Sequence, residues 1–300
     1  MPGQPESPPA VLLIANPVSG GGRARRLAPQ LLEELQQRDC RAELFYTSRS
    51  GDARERARTA GDEPWDCIVA VGGDGTVAEI LNGMPDPSRP LGMLPVGTAN
   101  VLASEYRLPQ KPAQVAELVC SRKTREHSIG LLGDQRFLLF CGIGVDGAIV
   151  QRMHEVRSGT LSKRKWLGPI AHILWKWPRY TLRATFADGE CLDNLSMVLV
   201  TRVRNYGGLL RLVPGIDPAD GQLHALCFRQ RSRAAWLWQG LRGLTTGLRP
   251  SANLLVRHTT SVRVDCVDQE PAPTQLDGDF AGTTPADISI LGATARICSH

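Results

Sequence analysis

The sequence lacks the closely spaced cysteines that mark zinc sites and disulfide-stapled domains. Its eight cysteines are scattered over 300 residues, and no two lie closer than 21 positions apart. No CxxC spacing exists, and we expect reduced, mostly buried thiols. The chain also lacks any apolar run approaching about 18 residues, so the sequence predicts no transmembrane helix.

Aromatic residues are sparse at 5%, and neither sign of charge dominates, with 35 Lys and Arg against 30 Asp and Glu. The net charge of +5 permits attraction to anionic lipids or nucleotides but falls short of a nucleic-acid-binding composition. Residues 1–9 lack the basic start and apolar stretch of a secretory signal, and we expect a cytoplasmic protein. The length indicates one large domain or two medium ones.

The first hundred residues alternate strand and helix patterns. The short apolar run Val11–Ala15 predicts a buried strand. Three further strands are predicted at Ala42–Thr47, Cys67–Val71 and Leu91–Pro95, with helical stretches between the four. This alternation is typical of a parallel sheet with helices on both faces. The sequence therefore predicts an N-terminal α/β domain over residues 1–129.

The pattern changes near residue 130, where strand-like runs begin to dominate. They are Arg136–Cys141, Thr181–Phe186, Ser196–Arg202, Leu223–Phe228, Leu254–Arg257, Ser261–Val267 and Ile288–Leu291. Two helical stretches interrupt them, Leu161–Trp177 and Arg233–Gly247. We therefore predict a second, β-rich and sandwich-like domain over residues 130–287.

Three glycine-containing turns each join a predicted strand to a predicted helix. They lie at Asn16–Gly22, Gly72–Thr76 and Gly97–Asn100. Because the carboxyl ends of parallel strands meet at one edge of a sheet, the three turns should converge there. Glycine lets the backbone approach a ligand closely, and amides at helix N-termini attract anions. The pattern favours a polyphosphate site, and the absence of GxxxxGK[ST] excludes an ordinary P-loop.

Three other segments are open to either a structural or a functional interpretation. Gly142–Gly147 fits G-x-G-x-x-G, but no acidic residue follows about 20 positions on, so a tight structural turn is favoured. Gln275–Phe280 places two carboxylates around a glycine, which by itself is typical of a hairpin turn. Asp217–Gln222 is an acidic turn that precedes a strand.

Basic residues cluster in two places. Lys163–Trp166 opens a basic, tryptophan-rich stretch that fits either a packed helix or a membrane-surface helix. Arg202, Arg204 and Arg211 surround a short turn and could contact a phosphate or a headgroup.

Six motifs in a fixed order carry a resemblance to a known family. They are NPVSGGG at 16–22, VGGDGTVAEILNG at 71–83, LPVGTANVLA at 94–103, GIGVDG at 142–147, DPADG at 217–221 and LDGD at 276–279. With them, nearly the whole chain resembles the diacylglycerol kinase catalytic-domain superfamily. The similarity is to its small soluble bacterial lipid-kinase branch, which is related to sphingosine and ceramide kinases.

The resemblance implies a kinase that uses ATP and Mg²⁺ to phosphorylate a lipid hydroxyl. The implied nucleotide-binding residues are Asn16, Thr47, Gly72, Gly73, Asp74, Gly75, Thr76, Val77, Ala78 and Thr98. Asp279 would be the general base. Asp217, Asp220 and Gln222 would surround a structural Mg²⁺ outside the catalytic centre. Val101 stands where the commonest family form has Asp.

The resemblance also implies how the domains work together. The final strand, 288–300, would return to the α/β domain, the β-rich domain would bind lipid, and chemistry would occur in the cleft between the two domains. We expect a lipid substrate, transient peripheral contact with the inner membrane face and no nucleic acid. Because GGDGT is shared with NAD kinases, an NAD kinase-like enzyme is one alternative. A non-catalytic lipid- or nucleotide-binding protein is another, and the lipid and the oligomeric state are left open.

Overall fold

The computed structural model describes residues 8–155, 168, 180–208, 210–229 and 232–300. The predicted helical stretch Leu161–Trp177, with the basic Lys163–Trp166, lies outside the described residues apart from Gly168. The chain divides into two compact units, Met1–His127 with Ala293–His300, and Ser128–Gly292.

The first unit alternates strands and helices. Its strands are β1 (Ala10–Ala15), β2 (Arg41–Tyr46), β3 (Cys67–Gly72) and β4 (Leu91–Pro95). Its helices are α1 (Arg23–Gln36), α2 (Asp52–Thr59), α3 (Asp74–Gly83), α4 (Val101–Tyr106) and α5 (Pro112–Cys120), with a short 3-10 turn at Ala60–Asp62. The strands pair in the order β2-β1-β3-β4, and every pairing is parallel.

The apolar pattern explains why these elements form. Every residue of β3, and every residue of β1 after Ala10, is buried, as parallel strands covered on both faces require. Helix α1 buries Ala24, Ala28, Leu31 and Leu35, which share one helical face. Helix α5 was not predicted, although its start at a proline is a helix-opening signal.

The second unit is mostly antiparallel. Its elements are β5 (Thr124–Leu132), β6 (Gln135–Phe137), β7 (Phe140–Gly144), α6 (Val145–Glu155), β8 (Leu182–Phe186), β9 (Cys191–Leu195), β10 (Met197–Thr201), β11 (Asn205–Tyr206), β12 (Leu210–Arg211), β13 (Leu223–Phe228), α7 (Arg233–Thr245), β14 (Leu254–Thr259), β15 (Ser261–Cys266), β16 (Pro273–Leu276), β17 (Asp279–Thr283) and β18 (Ala286–Cys298). Strand β5 begins in the first unit, and β18 ends there.

Two sheets of the second unit enclose its core. One has the order β14-β13-β10-β7-β16-β17, and the other contains β9, β8, β15 and the start of β18. Apolar residues from both sheets pack into one buried cluster, which includes Ile143, Val198, Val264 and Ile288. The predicted fold class, an α/β region followed by a β-rich sandwich-like region, is confirmed.

The last strand belongs to both units and pairs in each through different residues, within one ten-stranded sheet. Ala286–Ser289 pairs antiparallel with β15 in the second unit. In the first unit, Ile297 lies opposite Leu91 of β4 in a parallel pairing.

Candidate functional site

The three glycine turns of the first unit lie side by side at the carboxyl ends of β1, β3 and β4. A Cβ atom on Gly97 would lie 2.6 Å from the Cα atom of Gly73, and one on Gly20 would collide with the carbonyl of Val96. The amides of Val96 and Gly97 donate to the Gly72 carbonyl at 3.0 and 3.3 Å. The convergence predicted from the parallel topology is therefore present, and it depends on glycine.

The first of these turns is shaped for close approach of a ligand. Gly20, Gly21 and Gly22 all have positive φ, at 61°, 68° and 90°, a conformation that glycine adopts without strain. A Cβ on Gly21 or Gly22 would meet nothing within 4 Å, so the turn is open there. Helix α1 starts directly after it, with the positive end of its dipole at the turn.

A buried polar atom lies at the third turn. Asn100 donates from Nδ2 to the Gly97 carbonyl at 2.9 Å. Its Oδ1 atom is buried and accepts no hydrogen bond from the residues that the structure describes. An unpaired buried acceptor beside a glycine cradle fits a ligand that carries hydroxyl or amino donors, such as a nucleotide.

Asp74 points its carboxylate at the third turn. It accepts the amides of Val101 and Leu102 at 3.0 and 3.1 Å, so it caps the start of α4 from a separate segment. Burial raises the pKa of Asp74, and these amide hydrogen bonds oppose the rise. The Asp74 carboxylate is thus held by two backbone donors. Val101, in place of the common Asp, supplies one of them.

The remaining predicted nucleotide residues occupy the same end of the sheet. The Thr47 amide donates to the Ala15 carbonyl at 2.9 Å, and the Asn16 amide donates to the Val71 carbonyl at 3.1 Å. Gly75, Thr76, Val77 and Ala78 form the first turns of α3, and Thr98 is exposed. Their role in nucleotide binding stays a prediction.

Glu79 is a residue of this region that sequence reasoning missed. Its carboxylate accepts the Gly51 amide at 3.1 Å and the Ser50 hydroxyl at 3.3 Å. It thereby holds the loop after Thr47 against α3. Its place inside the VAEILNG segment was the available signal.

In the second unit, Asp277 and Gly278 form the two-residue turn between β16 and β17. Both have positive φ, 49° and 95°, as tight hairpin turns of this length require. The Asp277 carboxylate accepts the three consecutive amides of Leu138–Phe140 at 3.2, 3.0 and 2.9 Å. Because these amides bond to the Asp277 carboxylate and not to a neighbouring strand, the run Arg136–Cys141, predicted as one strand, is divided between β6 and β7.

A buried polar chain supports the same turn from the other side. The Gly278 amide donates to Gln275 Oε1 at 2.9 Å, and Gln275 Nε2 donates to Asp146 Oδ2 at 2.8 Å. The Tyr206 hydroxyl donates to the other Asp146 oxygen. Burial raises the pKa of Asp146, and the hydrogen bonds from Tyr206 and Gln275 oppose the rise. Asp279, the first residue of β17, is exposed directly after this doubly fixed turn.

The G-x-G-x-x-G segment is the source of that buried carboxylate. Strand β7 runs directly into α6, and Asp146 lies in the first turn of the helix. A side chain on Gly142 would collide with the Asp146 carboxylate, so this glycine serves internal packing. The structural interpretation of the segment is the one that the geometry favours.

The guanidinium group of Arg202 is packed against the acidic turn at Asp217–Gln222. Arg202 is 0% exposed. It donates to Asp220 Oδ1 at 3.1 Å, to the Pro218 carbonyl at 2.5 Å and to the Ser128 carbonyl at 3.2 Å. The expectation that Arg202 could contact a phosphate or a headgroup is therefore wrong.

The resemblance implies a structural Mg²⁺ at this turn, held by the Asp220 side chain and flanking carbonyls, and the role of Asp217, Asp220 and Gln222 in holding it stays a prediction. Asp220 Oδ1 also accepts the Gln222 amide at 2.9 Å, and Asp217 accepts the Ala219 amide at 3.0 Å. A divalent ion on Asp220 Oδ1 would face the Arg202 guanidinium at bonding distance, and the two cations would repel each other. Across the described residues, no three His, Cys, Asp or Glu side chains are grouped closely enough to hold an ion together.

The residues that the structure describes include no helix long and apolar enough to cross a membrane.

Comparisons with known proteins agree with this fold. Residues 10–132 match the family model described as the diacylglycerol kinase catalytic domain. The diacylglycerol kinase of Bacillus subtilis (strain 168) is 29% identical over 92% of this chain and 91% of its own length. The diacylglycerol kinase of Mycobacterium tuberculosis (strain ATCC 25618 / H37Rv) is 26% identical over 96% of this chain and 94% of its own length. A crystal structure of a diacylglycerol kinase from Bacillus anthracis str. Sterne superposes with a TM-score of 0.74, at 21% identity and 97% coverage of both chains.

The family match and the relatives support a kinase that acts on a lipid alcohol. The predicted resemblance to the diacylglycerol kinase catalytic-domain superfamily is confirmed, since residues 10–132 match its family model and the relatives named above align along most of the chain.

Proposed function

We propose that this protein is an ATP- and Mg²⁺-dependent kinase that phosphorylates the hydroxyl of a diacylglycerol-like or sphingoid-like lipid. The observation that carries the proposal is the convergence of three glycine turns at the carboxyl edge of the parallel sheet. Relatives named diacylglycerol kinase that align with more than 90% of the chain support the choice of a lipid acceptor.

The first unit would bind ATP. The open turn at Gly20–Gly22 and the start of α3 offer backbone amides to phosphate oxygens. Asn16, Thr47 and Thr98 would add polar side chains, and the buried Asn100 Oδ1 would accept from a ribose hydroxyl or an amino group. Mg²⁺ carried with ATP would neutralise charge on the phosphates.

The second unit would supply the base. As the lipid oxygen forms its bond to the γ-phosphorus and the bond to ADP breaks, the hydroxyl proton would move to the Asp279 carboxylate. Phosphoryl transfer has a loose transition state, so most of the rate should come from alignment and charge neutralisation. The bonds of Asp277 and Gln275 around Gly278 would limit the movement of Asp279. The enzyme would act peripherally at the inner membrane face, where its substrate lies.

Transfer of labelled γ-phosphate tests this function. Wild-type protein, Asp279→Asn and the exposed-carboxylate control Asp287→Asn would be incubated with ATP, Mg²⁺ and bacterial lipid extract, and in parallel with NAD. Labelled lipid from wild type and Asp287→Asn, reduced at least about a hundredfold in Asp279→Asn, is the expected result. Label in NAD would transfer the function to the NAD kinase alternative. The absence of label from lipid and NAD would contradict the proposal and favour a binding protein.

A further inference from the structure

Helix α7 exposes an unusual amount of apolar side chain. Leu237, Trp238, Leu241 and Leu244 are 61%, 60%, 52% and 55% exposed. Only eight large apolar residues in the described part of the chain are exposed, and half of them belong to this helix. Their spacing places them on one helical face. Single exposed apolar residues are ordinary, but a continuous stripe of four indicates a binding surface.

The opposite face of α7 is firmly attached. Trp236 stacks on Phe228 with ring centroids 5.1 Å apart. Gln239 and Gly243 are buried, and the Ser232 hydroxyl accepts the Ala235 amide at 3.2 Å as an N-cap. The helix is therefore anchored through one face while the apolar stripe points to solvent.

The segment that carries the stripe has charges of one sign. Between Asp220 and Asp265 the sequence contains no Asp or Glu, while arginine occurs at positions 229, 231, 233, 242, 249, 257 and 263. Arg257 pairs with Glu190 and Arg263 with Asp287, so these two do not count toward a basic rim. Arg233 begins the helix, Arg249 follows its end, and both are exposed. An apolar centre with a basic rim complements a surface that is apolar inside and anionic outside.

We propose that the exposed face of α7 docks on an anionic lipid bilayer. The leucines and Trp238 would enter the boundary between headgroups and acyl chains, which is where such side chains are favoured. Arg233 and Arg249 would lie at the level of the lipid phosphates. A second copy of the chain fits less well, because a symmetric pair would bring arginines together with no carboxylate from this segment to balance them. This inference rests on the proposed function in one respect: a lipid substrate gives the protein a reason to approach the bilayer.

Vesicle sedimentation without nucleotide tests docking separately from catalysis. Vesicles of phosphatidylcholine, with or without phosphatidylglycerol, would be mixed with wild type, Leu237→Ser/Leu241→Ser, Arg233→Gln/Arg249→Gln and Val267→Ser. Val267 is a matched control, since it is 63% exposed and lies outside the helix. We expect wild type and Val267→Ser to bind anionic vesicles and the leucine variant to bind at least about tenfold more weakly. The affinity of the arginine variant for anionic vesicles should fall about fivefold for each charge removed, and the decrease should be smaller at high salt.

Equal binding by wild type and the leucine variant would overturn the proposal, as would failure of wild type to bind anionic vesicles. A concentration-dependent dimer that the leucine substitutions abolish would assign the stripe to a second copy instead. Phosphorylation of a short-chain lipid dissolved as monomers should be equal in wild type and the leucine variant. If neither protein phosphorylates this lipid while wild type still binds anionic vesicles, the result would count against the kinase function and leave the docking surface in place.

Discussion

The Arg202 guanidinium donates to Asp220 Oδ1 at 3.1 Å from a fully buried position. Its other nitrogens donate to the carbonyls of Pro218 and Ser128, so one side chain joins the end of β10, strand β5 and the acidic turn before β13. Oxygens gathered around a positive charge are what a metal site would also provide. Here the charge is part of the chain.

Replacing Arg202 by Ala should lower the free energy of unfolding by about 2–4 kcal/mol, because two carbonyls and a carboxylate lose their donor. The removed side chain would leave oxygens without a cation, so Mg²⁺ should restore part of the stability of the variant. Urea denaturation with and without Mg²⁺ measures both effects. The control is Arg183→Ala, whose exposed pair with Asp193 should contribute less than about 1 kcal/mol. A wild-type melting temperature that rises with Mg²⁺ in the absence of nucleotide would instead favour the structural Mg²⁺ that the resemblance implies at this turn.

The two carboxylates of the β16–β17 turn should separate stability from activity. Asp277→Ala removes the acceptor of three amides and should lower the free energy of unfolding by about 2–3 kcal/mol. Asp279→Asn changes an exposed side chain and should leave stability within about 0.5 kcal/mol. Its kcat should nevertheless fall at least about a hundredfold. Thermal melts and steady-state kinetics on both variants check the pair, and the opposite assignment of effects would show that Asp277 is the base.

The sequence predicted the first unit closely because β1, β3 and β4 are continuous uncharged and mostly buried runs and the turns that follow them contain glycine. The bounds of β4 match the predicted strand, and the three turns meet where the parallel topology requires. These features are local, since periodicity and turn chemistry act over a few residues.

The contacts of Asp277, Asp146 and Arg202 could not be predicted in the same way. Asp277 bonds to residues 137–139 positions away in sequence, and Gln275 to a residue 129 positions away. No local pattern distinguishes such a carboxylate from a solvated turn residue. Arg202 ends a predicted apolar strand, where an arginine is ordinarily exposed. In the structure it is buried and donates to three oxygen atoms.

The contact between Gly73 and Gly97 should tolerate no side chain. In Gly97→Ala the new Cβ would lie 2.6 Å from Gly73 Cα and 2.8 Å from Asn100 Oδ1, so the turns must separate. We expect a loss of about 1–3 kcal/mol in stability and weaker ATP binding. Gly292→Ala is the control, because a Cβ there would meet nothing within 4 Å. Chemical denaturation and nucleotide calorimetry measure the two effects, and an unchanged ATP affinity in a folded Gly97→Ala protein would remove these turns from the nucleotide site.

The buried Asp146 should make stability depend on pH in a definite direction. Burial raises the pKa of this carboxyl above its ordinary value of 3.8, so the folded protein holds the proton more tightly than the unfolded chain. The contribution to stability is then complete below pH 3.8 and is lost as pH rises through the folded-state pKa. Burial raises the pKa of Asp74 too, so wild type should carry slopes of the same sign from both groups.

Asp146→Asn mimics the protonated acid and isolates one of those slopes. The amide oxygen can still accept from Gln275 Nε2, and the amide nitrogen can donate to the Tyr206 hydroxyl, which reverses its role. Relative to wild type, the variant should therefore become more stable as pH rises through the folded-state pKa of Asp146, while Asp287→Asn should follow wild type. Urea denaturation from about pH 4 to about pH 8 gives the difference curve. A difference between wild type and Asp146→Asn that stays constant over this range would show that Asp146 does not titrate on unfolding. In that case the burial would be offset by its two hydrogen bonds.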